Sequence, residues 1–290
     1  MSNTTVSFEF FPPASEKIEK NLWKAVDLLA PLKPKFVSIT YGAGGSTRDR
    51  THATVKRMQE MTGLEPAAHL TCVGATVEEV NTVIRGYWEV GVRHIVALRG
   101  DPPDGSTGCY KPHPRGYENA AALTAGIRGI GDFFISVAAY PEMHPESASP
   151  AADIEMLKKK TDAGAKQAIT QFFFNPEQYF RYRDKVAAAG ISIPIIPGII
   201  PVFNLARIKS FAAKCGTEVP SWLDERFIGL DDDVAARKAI AADIATKLCQ
   251  DLRSGGVKQF HFYTLNQADL TLEICRNLGV NREPGVCKEK

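Results

Sequence analysis

The stretch VSFEFFPP, residues 6 to 13, sets a carboxylate inside a run of phenylalanines. In an extended conformation Ser7, Glu9 and Phe11 share one face and Phe8 and Phe10 the other, because successive side chains alternate. Withdrawing a carboxylate from water is costly unless a partner or a reaction makes use of it. Further polar residues recur near the ends of other apolar runs: Thr40 with Tyr41, His69 with Thr71, Arg99 with Asp101, Tyr140 followed by His144, Gln171, and Tyr263 with Asn266. Taken singly, each has a structural explanation. His69 reads as a hydrogen-bonded core residue, and Asp101 after Gly100 reads as a turn with Arg99 as its ion-pair partner. Their recurrence on almost every run is what points to a site.

Several chemistries are poorly supported. There is no HExxH and no CxxC pair, and His113 and His144 lie in proline-rich segments without an acidic cluster, so no metal is expected. No GxSxG elbow offers a serine nucleophile, and no strand-end lysine is placed for a Schiff base. Acid–base chemistry or a bound organic cofactor remains. A net charge of +2 without a dense basic block argues against nucleic acid and membrane surfaces and leaves a small molecule as the partner. Six scattered cysteines, no long apolar run, and strand-like sequence beginning by Val6 lead to the expectation of a cytoplasmic protein with reduced thiols.

The elements that must position these residues follow from periodicity. Strand-length apolar runs occur at 6–11, 35–42, 66–72, 94–100, 133–141, 167–174, 193–200 and 259–265, separated by stretches of helical period. Thr76 and Glu79 have the spacing of a capping box, and Asn175 with Pro176 that of an N-cap followed by a first-turn proline. Eight strands alternating with helices predict a (β/α)8 TIM barrel spanning residues 1–290 as one domain, with an extra helical segment after the seventh strand. A doubly wound sheet is the alternative, but no GxGxxG follows the first strand. Pairs two apart (Ser7 and Glu9, Ser38 and Thr40, His69 and Thr71, Ala97 and Arg99, Ala138 and Tyr140) predict a small or polar face turned into the barrel.

The motifs FEFFPP, PKFVSITYGAGG, HLTC, RHIVALRGDPP, SVAAYPEMHPE, AITQFFF, IPGIIPV and HFYTLN, in that order, resemble the methylenetetrahydrofolate reductase family in its short bacterial form, over residues 6 to 280. The resemblance implies a barrel carrying FAD at the C-terminal ends of its strands. It implies ping-pong transfer of hydride from NADH or NADPH to the flavin and then to methylenetetrahydrofolate, and a homo-oligomer. By the same resemblance Glu9 is the general acid that protonates the departing N10 of the folate, with the neighbouring phenylalanines raising its pKa. Asp101 is implied beside flavin and pterin. Thr40, Tyr41, Ala43, His69, Arg99, Gly100, Asp101, Tyr117, Tyr140, His144, Asp153, Lys159 and Lys160 match FAD-binding positions, Arg99 and the lysines suiting a pyrophosphate and Asp153 a ribose hydroxyl. Gln171 and Phe211 match substrate contacts.

Two substrate positions depart from the pattern: Arg207 stands where relatives carry glutamine, and Gln267 where they carry arginine. That exchange suggests that the positive charge for the folate's glutamate tail has moved to Arg207. Met156 replaces a polar contact to FAD. The alternatives are a flavin-independent or methyl-carrier-specific relative on the same barrel, and a non-catalytic folate- or flavin-binding subunit.

Overall fold

The computed structural model describes residues 4–41, 48–101, 110–230 and 232–280. Parallel strands β1 (Thr5–Phe10), β2 (Val37–Ile39), β3 (Pro66–Thr71), β4 (His94–Leu98), β5 (Phe134–Ala139), β6 (Gln167–Thr170), β7 (Ile195–Ile196), β8 (Gly198–Ile199) and β9 (Gln259–Tyr263) pair in sequence order. β7 pairs with β6, β8 pairs with β9, and β9 pairs with β1. The seventh stave of the barrel is thus one run cut in two at Pro197, which has no N–H to give to a ladder. Its carbonyl still accepts from the His261 N–H (3.0 Å), so the ring of strands is carried past the break.

Helices α1 (Glu16–Leu29), α2 (Arg48–Thr62), α3 (Val77–Glu89), α4 (Ala120–Ile130), α5 (Pro150–Asp162) and α6 (Pro176–Ala188) follow the first six strands. α9 (Val234–Ser254) and α10 (Ala268–Asn277) complete the outer layer, and α7 (Leu205–Cys215) and α8 (Ser221–Glu225) form the extra segment expected after the seventh strand. The expected caps are present. Thr76 and Glu79 satisfy each other's backbone reciprocally at the start of α3, and the Asn175 side chain accepts from the Glu177 N–H at the start of α6. Among the described residues no helix is long and apolar enough to cross a membrane.

Strand alternation sorts the apolar residues into two sets. Val6, Phe8 and Phe10 pack outward with Leu22, Ala25, Val26 and Leu29 of α1, while Phe36, Ala67, Val96, Ile169 and Ile196 form a smaller cluster with Leu98 inside the barrel. Two expectations need correcting. The inward residues of the fourth strand are His94, Val96 and Leu98 rather than Ala97 and Arg99, because His94 and Val96 sit in register with inward-facing Ala67 and His69, and Ala97 joins the outer core. The sixth strand ends at Thr170 rather than 174. Phe172, Phe173 and Phe174 lie in the turn toward α6 and are buried in the outer core, with Phe173 stacked on Tyr179 at 5.7 Å.

Candidate active site

Glu9 lies on the inward face of β1, and only 14% of its side chain is exposed. Phe8 and Phe10 do point to the opposite side, against α1, so they are not what surrounds the carboxylate. Its neighbours are two imidazoles: His69 Nε2 of β3 lies 3.3 Å from Oε2, and His261 Nε2 of β9 lies 3.6 Å from the same oxygen. Neither contact is a hydrogen bond, and both Nε2 atoms are buried without a hydrogen-bond partner. Burial lowers the His69 pKa, and the nearby Glu9 charge opposes that shift without overcoming it. His69 is therefore a neutral imidazole at neutral pH.

The C-terminal end of β1 is fastened to the end of β9. The Thr264 hydroxyl donates to the Glu9 carbonyl (2.6 Å), and Asn266 grips Phe11 twice, its Oδ1 accepting from the backbone N–H (2.8 Å) and its Nδ2 donating to the carbonyl (3.0 Å). Leu265 and Asn266 adopt φ of 50° and 57°, and asparagine tolerates that left-handed turn better than most residues. Tyr263, half-buried beside Glu9, donates its hydroxyl to the Thr170 carbonyl across the split stave (2.6 Å). Gly198 permits this crossing, since a Cβ there would lie 2.2 Å from that carbonyl and 2.6 Å from the Tyr263 ring.

A second feature is a cavity of about 370 Å³ at the C-terminal ends of β4 and β5, between the first turns of α4 and α5. Tyr41, Arg99, Gly100, Asp101, Tyr140, His144, Asp153 and Lys160 all line it, so the structure brings together eight of the thirteen residues matched to FAD-binding positions. Gly100 turns the chain from β4 toward Asp101 at φ +87°, a conformation that favours glycine. Arg99 pairs with Glu146 (2.5 Å) and lies 4.5 Å over the Tyr110 ring. Asp153 accepts from the His144 N–H (2.7 Å) and from the Ser147 hydroxyl, so its carboxylate shapes the turn over the cavity. Lys160 is buried, its Nζ donating to the Ala138 carbonyl (3.0 Å), and desolvation pulls its pKa down to about 8. Among the described residues no carboxylate forms an ion pair with it, and Asp153 acts on it only at longer range. A buried cation short of a counter-charge, with Arg99 nearby and apolar walls at Ala97, Leu98 and Met156, suits a large organic anion such as a dinucleotide.

The methylenetetrahydrofolate reductase family model matches residues 1–279. A 5,10-methylenetetrahydrofolate reductase of Salmonella typhimurium is 52% identical over 281 residues, covering 97% of this chain and 92% of that protein. The chain belongs to the methylenetetrahydrofolate reductase family. A rice protein named "Probable methylenetetrahydrofolate reductase (NADH)" is 36% identical over 98% of this chain and 50% of its own length. Among solved structures, a Clostridium thermocellum protein described as binding two copies of 5-methyl-5,6,7,8-tetrahydrofolic acid superposes with a TM-score of 0.63 at 14% identity, covering 96% of each chain; that likeness is one of fold.

Other residues singled out in this reductase sequence lie elsewhere. His69 faces Glu9 rather than the cavity. Thr40 lies in the loop after β2, its N–H on the Phe10 carbonyl and its own carbonyl accepting from the Thr51 hydroxyl. Tyr117 donates to Asn81 (2.7 Å), and Lys159 is exposed and paired with Glu155 (2.8 Å), so neither lines the cavity. Gln171 accepts from the Phe172 N–H, and Arg207 on α7 extends over Phe203 and Phe211, 5.8 and 5.3 Å from the ring centres. Gln267 lines a separate cavity of about 220 Å³ between α1 and α10. Ala43 lies outside the described residues. Sequence reasoning passed over Glu146, Tyr110 and His261. The signal for His261 was available, because it stands two residues before Tyr263 and shares its face.

Proposed function

We propose that this chain reduces 5,10-methylenetetrahydrofolate to 5-methyltetrahydrofolate at the expense of NADH or NADPH, with FAD bound in the cavity between α4 and α5 and Glu9 as the general acid. The observation that carries the reading is a nearly buried carboxylate on a barrel strand, contacted by neutral imidazole rather than by a compensating cation. Bound FAD would supply the hydride-carrying chemistry, so that pyridine nucleotide and folate use one position in turn. The residues of the chain do the rest. Lys160 and Arg99 offer positive charge to a pyrophosphate, Asp153 holds the turn that closes over it, and Asp101, exposed at the cavity edge, is free to accept from pterin or flavin N–H groups.

In the folate half-reaction the Glu9 proton passes to N10 as the N10–methylene bond breaks. The resulting N5 iminium carbon accepts hydride, and Glu9 is left as a carboxylate that must be reprotonated before the next turnover. The NADH named for the rice relative supports that donor, and the Salmonella enzyme's name supports the folate. The test is anaerobic: purified yellow protein is bleached by NADH or NADPH, and added methylenetetrahydrofolate restores the absorbance. A colourless preparation that takes up no FAD and still oxidises NADH with folate would point to the flavin-free reading instead, and one that binds flavin but neither substrate would point to a binding subunit.

A further inference from the structure

We propose that His261 is a positioning residue for the proton-donating carboxyl group of Glu9, an inference that rests on the general-acid role proposed above. His261 is fully buried inside the barrel. Its Nδ1 lies 2.8 Å from the hydroxyl of Ser7, itself fully buried two residues before Glu9 on β1. The ring plane is fixed on both sides, stacked on Phe36 (5.6 Å, 17°) and met edge-on by Tyr263 (5.4 Å, 87°). With one nitrogen held and the ring clamped, the other nitrogen has one direction to face, and it faces Glu9 Oε2 at 3.6 Å.

A histidine serving the core alone would not be built this way. Nε2 has no hydrogen-bond partner, and leaving a buried polar nitrogen unpaired is destabilising. A phenylalanine or leucine would fill the same space without that cost. The orphan is explained if Nε2–H closes on the carboxylate when the site is occupied, since catalytic hydrogen bonds are often long before substrate is bound. His69 and His261 both address Oε2, so Oε1 is the oxygen left to carry the proton toward the folate. His69, kept neutral by burial, brings Glu9 no full charge of the kind by which a lysine or arginine would pull the proton off it. Among the described residues the titratable groups around Glu9 are His69 from β3 and His261 and Tyr263 from β9, with Ser38 of β2 in register beside it; His94 of β4 acts on the two imidazoles from further away.

The experiment uses the FAD-loaded enzyme and reads the two half-reactions separately by stopped-flow absorbance, each as a function of pH. His261→Asn keeps an amide near Ser7 but is too short to reach Glu9, whereas His261→Gln places an amide N–H where Nε2 stood. His261→Asn should slow folate-dependent flavin reoxidation about 10- to 100-fold, the scale of a misplaced reacting group, and shift its pH profile, while bleaching by NADH proceeds at the parent rate. His261→Gln should recover most of the loss, and Ser7→Ala should show a smaller defect of the same kind. In a Glu9→Gln background His261→Asn should add nothing, because the two then act through one group. Equal behaviour of the Asn and Gln variants, or a parallel fall in both half-reactions, would assign His261 to packing and overturn the proposal with Glu9 still the acid. A Glu9→Gln enzyme that reoxidises normally would instead sink the acid role, and this inference with it.

Discussion

The barrel interior around Glu9 and the cavity between α4 and α5 each withdraw an ionisable side chain from water, and they satisfy it differently. Glu9 is held by strands: its carbonyl is fastened by Thr264, the next turn by Asn266, and its carboxylate is flanked by side chains of β3 and β9. Lys160 comes from a helix and receives one backbone carbonyl, with no acid paired to it among the described residues. A group that must meet a breaking bond needs its position fixed by neighbouring backbone, because a displacement near 1 Å can cost about 100-fold in rate. A group that awaits a ligand's charge needs the reverse, an incomplete shell.

The most direct way to test the first half of this contrast is Glu9→Gln. The amide keeps the shape and cannot deliver the proton, so folate-dependent reoxidation should fall ~10²- to 10⁴-fold while NADH still bleaches the flavin at the parent rate. Were both half-reactions to slow together, Glu9 would belong with the scaffold and not with the chemistry.

Acid titration sharpens the contrast next, because the interior carries a further buried imidazole, His94. His94 is buried, its Nε2 2.7 Å from the Ser136 hydroxyl, and desolvation drives its pKa down to about 3, with His261 and His69 adding to the shift. The folded state therefore binds fewer protons than the unfolded state between about pH 6.5 and 3. Stability from this group is fully present above 6.5 and is lost as pH falls through that window, at about 1.4 kcal/mol per unit. Denaturation of the parent and of His94→Gln, followed across that range, should show a shallower acid slope in the variant. Identical slopes would mean that the barrel interior admits water and protons more freely than its packing implies.

On the cavity side, Lys160→Met should separate two quantities that usually move together. Removing a buried ammonium with no paired acid relieves a desolvation cost, so the FAD-free protein should be as stable as the parent or more so. Affinity for FAD should drop by about 10- to 100-fold, the worth of one charge-assisted hydrogen bond. Lys159→Met, one residue away, should change neither, since that side chain lies in solvent on Glu155. Apo-protein titrations with FAD and thermal denaturation decide it; a lysine that merely supports α5 would lower both numbers.

Those neighbouring lysines also show where the sequence is legible and where it is not. The barrel, its extra segment after the seventh stave and the caps at Thr76 and Asn175 follow from periodicity and local backbone chemistry, which short stretches contain in full. Which of Lys159 and Lys160 enters the cavity depends on a 100° rotation about α5, and that is set by how the helix packs on β5. The inward face of β4 is likewise decided by register with β3: Ala97 and Arg99 look like the polar face in isolation, yet Val96 is the residue opposite His69. The surroundings of Glu9 follow the same rule. Its sequence neighbours are phenylalanines, but its spatial neighbours are histidines 60 and 252 positions away, supplied by strands that no local pattern connects to it.

The smallest expected effect concerns the rim, where the structure keeps Arg207 and Gln267 on different elements. Arg207 is exposed on α7, its guanidinium near the faces of Phe203 and Phe211, while Gln267 precedes α10 and lines the cavity between α1 and α10 with Phe203. If Arg207 supplies the charge for the folate's glutamate tail, the pairing is a solvent-exposed one worth at most ~1 kcal/mol. Arg207→Gln should then raise the folate KM about three- to five-fold with kcat unchanged, since the tail is bound equally in ground and transition states. The effect should shrink at high salt. Adding Gln267→Arg to that variant should bring the KM back, because the two positions would serve one carboxylate from opposite sides. A double variant no better than Arg207→Gln would show that the cleft at Gln267 does not meet the tail, and that the exchange of glutamine and arginine between the two positions is not a relocation of one charge.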